Sequence, residues 1–339
     1  MGYKLTEENA NKVFQKLMEE YQIYAPKRFK KQGRYSDTDI VKYDVVQSLD
    51  DIVFDEKSDF PAKEVLSPIT QAVLYFTEDE FRASKESTRP ILLFMRPCDI
   101  HAMKHQEKIL LTNGNIADMY YSRMKDRVKV VMMECREGFD TCFCVSMGTN
   151  KADEYAMAVR KTEDGLSVEL HDNSLLPYFD GAPGCDFAPE FVQKNQLEVT
   201  VPEIKDKETL VKLKQHPFWN QYNGRCISCG ACTVACSTCT CFSTTDIAYG
   251  SNGNVGERRR TTSSCQVAGF DKIAGNVTFR KDAASRMRYK VMHKFHDYKE
   301  RFGDFHMCVG CGRCTDRCPE FISSNRSFVR SFNGMVLHL

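Results

Sequence analysis

The chain has 339 residues, of which 47 are lysine or arginine and 46 are aspartate or glutamate. This length suits about two domains, and the balanced charge argues against a nucleic-acid partner and an acidic tail. The amino terminus lacks the apolar segment of a secretory signal, and the longest apolar runs are far shorter than a membrane span. These features predict a cytoplasmic protein with no membrane span.

The first predicted element is an amphipathic helix, because the apolar residues between 13 and 21 fall on one helical face. Three short apolar runs follow, AVLYF at 72–76, ILLFM at 91–95 and VKVVMM at 128–133. A predicted helix near 99–111 separates the last two runs. Together they predict a βαβ unit, and therefore an α/β fold for the first part of the chain.

The chain becomes loop-rich and then charged between residues 182 and 218, which is typical of a domain boundary. A basic helix is predicted at 286–303. We therefore expect an α/β amino-terminal domain over residues 1–215. A mainly α-helical, ferredoxin-like domain is expected over residues 216–339.

Sixteen cysteines without a secretory signal indicate metal ligation or redox chemistry, because cytosolic thiols stay reduced. Eight of them form two runs, CISCGACTVAC and CVGCGRCTDRC, each with the spacing C-x2-C-x2-C-x3-C of bacterial [4Fe–4S] proteins. In that pattern the fourth cysteine of each run ligates the other cluster. The predicted ligand sets are Cys226, Cys229, Cys232 and Cys318 for the first cluster, and Cys308, Cys311, Cys314 and Cys236 for the second.

The alternative interpretation is that such cysteines bind a structural zinc ion. Zinc also binds four thiolates, but two separated C-x2-C pairs usually supply them. Here a third cysteine follows each pair after two residues, in both runs. The spacing therefore favours iron–sulfur clusters over zinc, and the compartment disfavours a disulfide framework.

Four further cysteines, Cys98, Cys135, Cys142 and Cys144, raise the question of a third metal site. Cys98 and Cys135 follow the two strands of the βαβ unit, where open α/β sheets place their ligands. Cys142 and Cys144 follow closely, and alternate residues of an extended segment point the same way. Buried packing residues are the alternative interpretation. We expect the four thiolates to converge on a third [4Fe–4S] cluster or, as the weaker choice, on zinc.

Cys239, Cys241 and Cys265 lie between the two runs, where they suit either packing or additional ligation. The sequence assigns them no role. It also carries no flavin or nicotinamide motif and no arrangement of residues that predicts an autonomous catalytic site.

The motifs together resemble those of the [4Fe–4S] electron-transfer subunit of anaerobic sulfite reductase, within a wider group that includes the β subunits of cytosolic sulfhydrogenases. The similarity extends over nearly the whole chain. The motifs that carry it are GRYSDTD at 33–39, SPIT at 67–70, RPCDIHAM at 96–103, TCFCVSMGTNKAD at 141–153, RCISCGACTVACSTCTCF at 225–242, GERRR at 256–260 and HMCVGCGRCTDRCP at 306–319. The family commonly has proline after the fourth cysteine of the first run, where this chain has Ser237. That departure is expected to loosen the following turn.

The resemblance implies an iron–sulfur electron-transfer subunit of an oxidoreductase complex. In that family the subunit relays electrons from a flavin- and NADH-binding partner to a siroheme partner, which reduces sulfite to sulfide under anaerobic conditions. Two alternatives stay open. The first is the β subunit of a cytosolic nickel–iron hydrogenase or sulfhydrogenase complex, which would relay electrons to a different terminal catalyst. The second and more remote alternative is a zinc-binding scaffold or nucleic-acid-binding protein.

Overall fold

The computed structural model describes residues 1–85, 87–204, 206–303 and 305–322. The strands within these residues are β1 (Gly2–Thr6), β2 (Gln22–Phe29), β3 (Ile40–Val45), β4 (Thr70–Phe76), β5 (Phe81–Ala83), β6 (Ile91–Met95), β7 (Val128–Met133), β8 (Met157–Thr162), β9 (Gly165–Leu170), β10 (Gly184–Cys185), β11 (Phe242–Ala248) and β12 (Gly256–Thr262).

The helices are α1 (Glu7–Glu20), α2 (Lys63–Leu66), α3 (Pro97–Leu110), α4 (Met119–Asp126), α5 (Lys207–Gln215), α6 (Tyr222–Arg225), α7 (Ala231–Val234), α8 (Ala283–Met292), α9 (Tyr298–Phe302) and α10 (Arg313–Asp316). Short 3₁₀ turns span Leu49–Asp51, Asn173–Phe179, Pro217–Gln221 and Ala274–Asn276, and one π-helical turn spans His293–Asp297. Within the described ranges, no helix is long and apolar enough to cross a membrane.

A mixed eight-stranded sheet has the order β10-β1-β9-β8-β7-β6-β2-β3. Its central strands β2, β6, β7 and β8 are parallel neighbours, and antiparallel strands flank them. Every residue of β6 is buried, as expected for a strand that is covered on both faces. The helix α1 and the turn Asn173–Phe179 pack on one face, whereas α3 and α4 pack on the other.

The predicted amino-terminal helix is present as α1. Its first turn is capped by Thr6, whose side-chain oxygen accepts a hydrogen bond from the Asn9 N–H at 3.3 Å. The apolar face of α1 is buried, and Phe14 packs against Phe94 of β6 with their ring centroids 6.0 Å apart. This contact anchors the helix to the centre of the large sheet.

The predicted βαβ unit is formed by β6, α3 and β7. Pro97 begins α3, at a position where no backbone N–H donor is required. The two strands are parallel, and Met95 is the partner of Met132. Their carboxyl ends therefore lie side by side, which brings the segments that carry Cys98 and Cys135 to one edge of the sheet.

The apolar run at 72–76, which was expected in the same unit, belongs to a different sheet. It lies in β4, which pairs antiparallel with β5 and β12 in a four-stranded sheet of order β11-β12-β4-β5. Only Val73 of β4 is fully buried, so this strand lacks the two covered faces of a central parallel strand. The sheet also joins strands from both sides of the boundary predicted at residues 215–216.

The basic helix predicted at 286–303 is present as α8, the π-helical turn and α9, which follow one another without a break. Asp282 and Ser285 form a reciprocal capping box at its start. The part of the chain expected to be mainly helical also contains the hairpin of β11 and β12. Residues 323–339, at the end of the predicted second domain, lie outside the described residues.

Candidate metal centres

Each cysteine run contains a short helix, α7 in the first run and α10 in the second. Gly230 and Gly312 immediately precede these helices, with φ angles of 79° and 73°. Such angles favour glycine, because a side chain would clash with its own backbone. The helices α7 and α10 lie against each other. The same backbone turn is thus used twice, and it brings the two runs face to face.

A first cavity of about 50 Å³ opens between the runs. The cysteines that line it are Cys226, Cys229, Cys232, Cys314 and Cys318. The Ile322 N–H donates to the sulfur of Cys318 at 3.3 Å. This cavity therefore holds the first three cysteines of the first run together with Cys318, the fourth cysteine of the second run.

A second cavity of about 50 Å³ is lined mainly by the second run. The cysteines that line it are Cys236, Cys308, Cys311 and Cys314. Hydroxyl groups lie beside two of these sulfurs, since Thr238 Oγ1 is 3.4 Å from Cys236 Sγ and Ser237 Oγ is 3.6 Å from Cys311 Sγ. Because Cys314 lines both cavities, the two sites are immediate neighbours.

Three cysteines of the first run line the first cavity with Cys314 and Cys318, and three cysteines of the second run line the second cavity with Cys236. Among the described residues, no group of three or more His, Cys, Asp or Glu side chains converges tightly enough to hold one metal ion. The thiols instead surround two cavities of similar volume. A set of four thiolates around such a space suits a cubane cluster, which is larger than a single zinc ion.

Burial makes ionisation of these thiols less favourable. It raises the pKa of Cys232 and of Cys308 above the ordinary value for cysteine. Iron binds the thiolate form, so ligation at these positions depends on compensating positive charge. Lys290 lines both cavities, Lys294 lines the second, and the helix that carries them was predicted from sequence only as basic.

The structure brings the four cysteines of the predicted third site into one region. Cys98 lies in the first turn of α3, and Cys135 follows β7. The sulfur of Cys144 lies within electrostatic range of the sulfurs of Cys98, Cys135 and Cys142. Burial raises the pKa of Cys144 to about 12.

A buried amide that sequence analysis did not single out lies beside these cysteines. The Asn195 side chain is 4% exposed, and its Oδ1 accepts hydrogen bonds from the Val145 N–H at 2.8 Å and from Cys144 Sγ at 3.7 Å. Its Nδ2 has no partner among the described residues. Gly138 leaves room for this amide, because a Cβ there would lie 2.4 Å from Nδ2. Asn195 therefore places its Nδ2 amide donor beside Cys142 and Cys144.

The loop that carries Cys142 and Cys144 packs directly on the second cysteine run. The Phe143 N–H donates to the Gly310 carbonyl at 2.8 Å, and Cys142 Sγ donates to the Cys311 carbonyl at 3.6 Å. A Cβ at Gly310 would lie 2.6 Å from the Phe143 backbone. The third group of cysteines therefore adjoins the second cavity.

The three unassigned cysteines lie around the same lysine-bearing helix. Cys239 hydrogen-bonds with Cys236, and Cys241 hydrogen-bonds with Cys265. The bond from Cys241 is the main cause that lowers the pKa of Cys265 to about 5. None of the three lines either of the two cavities described above.

Ser237, the departure from the family pattern, is buried in a polar network rather than in a loose turn. Its hydroxyl donates to Asp99 Oδ1 at 3.1 Å and accepts from Arg313 Nη1 at 3.0 Å. The Arg313 guanidinium also contacts both oxygens of Asp99, at 2.7 and 2.9 Å. Asp99 therefore forms an ion pair with Arg313, and this network connects α3 with both cysteine runs.

The arginines of the motif GERRR are paired within the chain. Arg258 forms a two-point contact with Asp246, Arg259 pairs with Glu257, and Arg260 contacts Asp118 at 2.7 Å. The Arg258 pair links β12 to β11, and the Arg260 pair attaches β12 to the residue before α4.

The carboxyl-terminal part of the chain is similar to a known protein family. Residues 225–322 match the family model described as a 4Fe-4S dicluster domain. The match supports the presence of an iron–sulfur domain in this part. The match covers both cysteine runs and the lysine-bearing helix between them.

A whole-length relative is Sulfhydrogenase 2 subunit beta of Pyrococcus furiosus (strain ATCC 43587 / DSM 3638 / JCM 8422 / Vc1). The two chains are 28% identical over 361 residues, which cover 98% of this chain and 99% of the relative. No solved structure gives a significant match. The comparisons support an iron–sulfur electron-transfer role within a multi-subunit complex, and they do not single out anaerobic sulfite reductase as that complex.

Proposed function

We propose that the chain is a cytoplasmic relay subunit that carries electrons between two partners through [4Fe–4S] clusters. The observation that supports this best is the pair of adjoining cavities, each lined by three cysteines of one run and by the fourth cysteine of the other, with Cys314 shared between them. When bound, a [4Fe–4S] cluster accepts and releases one electron at a time. The protein supplies the ligands, the separation from water and the surrounding charge.

In this proposal the ligands follow the exchanged pattern. The first site takes Cys226, Cys229, Cys232 and Cys318, and the second takes Cys308, Cys311, Cys314 and Cys236. Because Cys314 and Lys290 line both cavities, the two sites share part of their lining. That arrangement suits direct exchange of electrons between neighbouring clusters.

The test of the ligand sets is to replace Cys318 by alanine in the full chain. Iron and acid-labile sulfide are counted after anaerobic reconstitution, and electron paramagnetic resonance distinguishes the two clusters. Cys318→Ala should damage the cluster held by the first run. The control is Cys185→Ala, in β10 at the edge of the large sheet, which should keep the full content. Damage confined to the second-run cluster would contradict the exchange.

We further propose a third [4Fe–4S] cluster at Cys98, Cys135, Cys142 and Cys144, with zinc as the weaker choice. Its support is the electrostatic proximity of the four sulfurs and the unpartnered Asn195 amide beside them. Cys144→Ala in the full chain should lower iron and sulfide by one cluster and leave the two dicluster signals intact. Unchanged iron, sulfide and zinc would refute a metal at this site.

The proposal also identifies the electron donor and the terminal electron acceptor by class. We propose a flavin- and NADH-binding partner as donor and a siroheme partner that reduces sulfite to sulfide, because the motifs resemble those of the electron-transfer subunit of anaerobic sulfite reductase. Delivery of single electrons is what such a multi-electron reduction requires. The chain alone should neither oxidise NADH nor reduce sulfite.

The second candidate is the β subunit of a nickel–iron sulfhydrogenase complex, which the name of the Pyrococcus furiosus relative favours. Purification of the native complex under anaerobic conditions distinguishes the two. A siroheme absorption band with sulfite-dependent oxidation of NADH supports the first candidate. Nickel with hydrogen-dependent reduction of a nicotinamide supports the second.

A further inference from the structure

Three lysine side chains are buried against residues 233–239, at the end of the first cysteine run and just after it. Lys63 of α2, Lys290 of α8 and Lys294 of the π-helical turn are 7%, 8% and 6% exposed. Lysine is rarely buried this deeply unless a negative charge accompanies it. Their burial therefore calls for a partner of opposite charge.

The hydrogen bonds of these lysines lead mainly to neutral oxygens. Lys290 Nζ donates to Thr233 Oγ1 at 3.1 Å, and Lys294 Nζ donates to Thr238 Oγ1 at 2.6 Å. Lys63 Nζ donates to the Thr233 carbonyl at 3.3 Å and to the Cys239 carbonyl at 3.2 Å. Within the described ranges, none of the three forms an ion pair with a carboxylate. Close ion pairs with acidic side chains therefore do not supply the missing negative charge.

The anionic groups near the lysines are cysteine sulfurs. Lys290 hydrogen-bonds with Cys232 of the first cavity and also lies within electrostatic range of Cys236 of the second. Lys294 lies near Cys236 and Cys308 of the second cavity. The lysines face the thiolates that would hold the clusters.

A fixed positive charge acts differently on the two oxidation states of a cluster. The four thiolates give the oxidised cluster a net negative charge, and reduction adds one electron without breaking or forming a bond. The reduced state is therefore attracted more strongly to a nearby ammonium group. A buried lysine raises the reduction potential, and the low dielectric of the interior strengthens the effect.

We propose that Lys290 is an electrostatic positioning residue that raises the reduction potentials of both clusters together, and that Lys294 does so for the second-run cluster alone. This inference rests on the proposed function, since it assumes the two clusters. The assignment follows from position, because Lys290 lines both cavities and Lys294 lines only the second. Lys290 would thus shift both potentials in the same direction, and Lys294 would add a further increase at the second-run cluster.

The test uses the full chain with its clusters reconstituted anaerobically, and an external chemical reductant supplies the electrons. Lys290→Met removes the charge and keeps a long apolar stem. Midpoint potentials are measured by titration followed by electron paramagnetic resonance. The ratio of reduced to oxidised cluster at a fixed potential should fall at least tenfold for both clusters, which is about 59 mV for a one-electron couple. Lys294→Met should lower the potential of the second-run cluster only.

Two controls separate charge from packing. Lys290→Arg keeps the positive charge and should restore both potentials, whereas Lys299→Met removes an exposed lysine of α9 and should change neither. If Lys290→Met does not take up clusters, Lys290→Gln gives the same comparison. Unchanged potentials in cluster-loaded Lys290 and Lys294 variants overturn this inference. A wild-type chain that binds no iron and sulfide overturns the proposed function instead.

Discussion

The ion pair of Asp99 and Arg313 is the contact whose loss we expect to cost the fold most. The side chains of Asp99 and Arg313 are 1% and 2% exposed and meet in a two-point contact at 2.7 and 2.9 Å. Asp99→Asn keeps the shape of the side chain and removes its charge. The Arg313 guanidinium then stays buried without its anion, although its bonds to Ser58 remain.

The expected loss is about 3–5 kcal/mol in the free energy of unfolding, which is typical when one partner of a buried pair is removed. A matched control is Asp246→Asn. Asp246 forms the same two-point contact with Arg258, but the two side chains are 52% and 50% exposed. Water screens that pair, so its loss should cost no more than about 1 kcal/mol.

Guanidinium unfolding of the anaerobic protein gives these energies, followed by circular dichroism and by the fluorescence of Trp219, the single tryptophan of the chain. A double variant, Asp99→Leu with Arg313→Met, should be less destabilised than Asp99→Asn, because no unpaired charge remains. Equal losses in Asp99→Asn and Asp246→Asn would refute the view that burial makes this pair essential.

Two further predictions concern the ferredoxin loops and the response to acid. Gly310→Ala should destabilise the chain by more than about 2 kcal/mol in urea unfolding, because φ is 66° and the new Cβ would lie 2.6 Å from the Phe143 backbone. Gly269→Ala, with φ of 82° and open space, should cost about 1 kcal/mol, and equal losses would contradict the role of the close contact. Burial lowers the pKa of His105 from 6.5 to about 4, so the stability it contributes is complete above pH 6.5 and is lost as the pH falls towards 4. Between pH 7.5 and 6.0 the share of His105 in this loss should be about 0.8 kcal/mol. His105→Gln, which can still donate to the Met307 carbonyl, should therefore lose about that much less than the parent, while the buried His293, whose pKa is also lowered to about 4, keeps its own share in both.

Those parts of the fold that depend on local pattern could be predicted from the sequence. The unbroken apolar runs at 91–95 and 128–133 predict central strands because both faces of such strands are covered. The spacing of the cysteines predicts their grouping because three closely spaced thiols must share one loop. Both inferences use neighbours in sequence.

The remaining features depend on contacts between distant residues. The partner of β4 is β12, whose sequence GERRRTT lacks the apolar alternation of a typical strand. Lys290 and Lys294 look like the exposed Lys299 in the sequence, and only their place beside the cavities distinguishes them. Asn195 lies in a loop with no motif around it, so its contact with Cys144 could not be anticipated.

The four-stranded sheet has a consequence for synthesis of the chain on the ribosome. Thr70 of β4 and Thr261 of β12 meet with their side-chain oxygens 3.5 Å apart, although they are 191 residues apart in sequence. At ordinary rates of translation, β4 would wait about 10–40 s for its partner strand to emerge. During that time its edge stays open to wrong pairing with other chains. Slowing translation between the two strands should therefore increase aggregation of the nascent protein more than slowing it after β12.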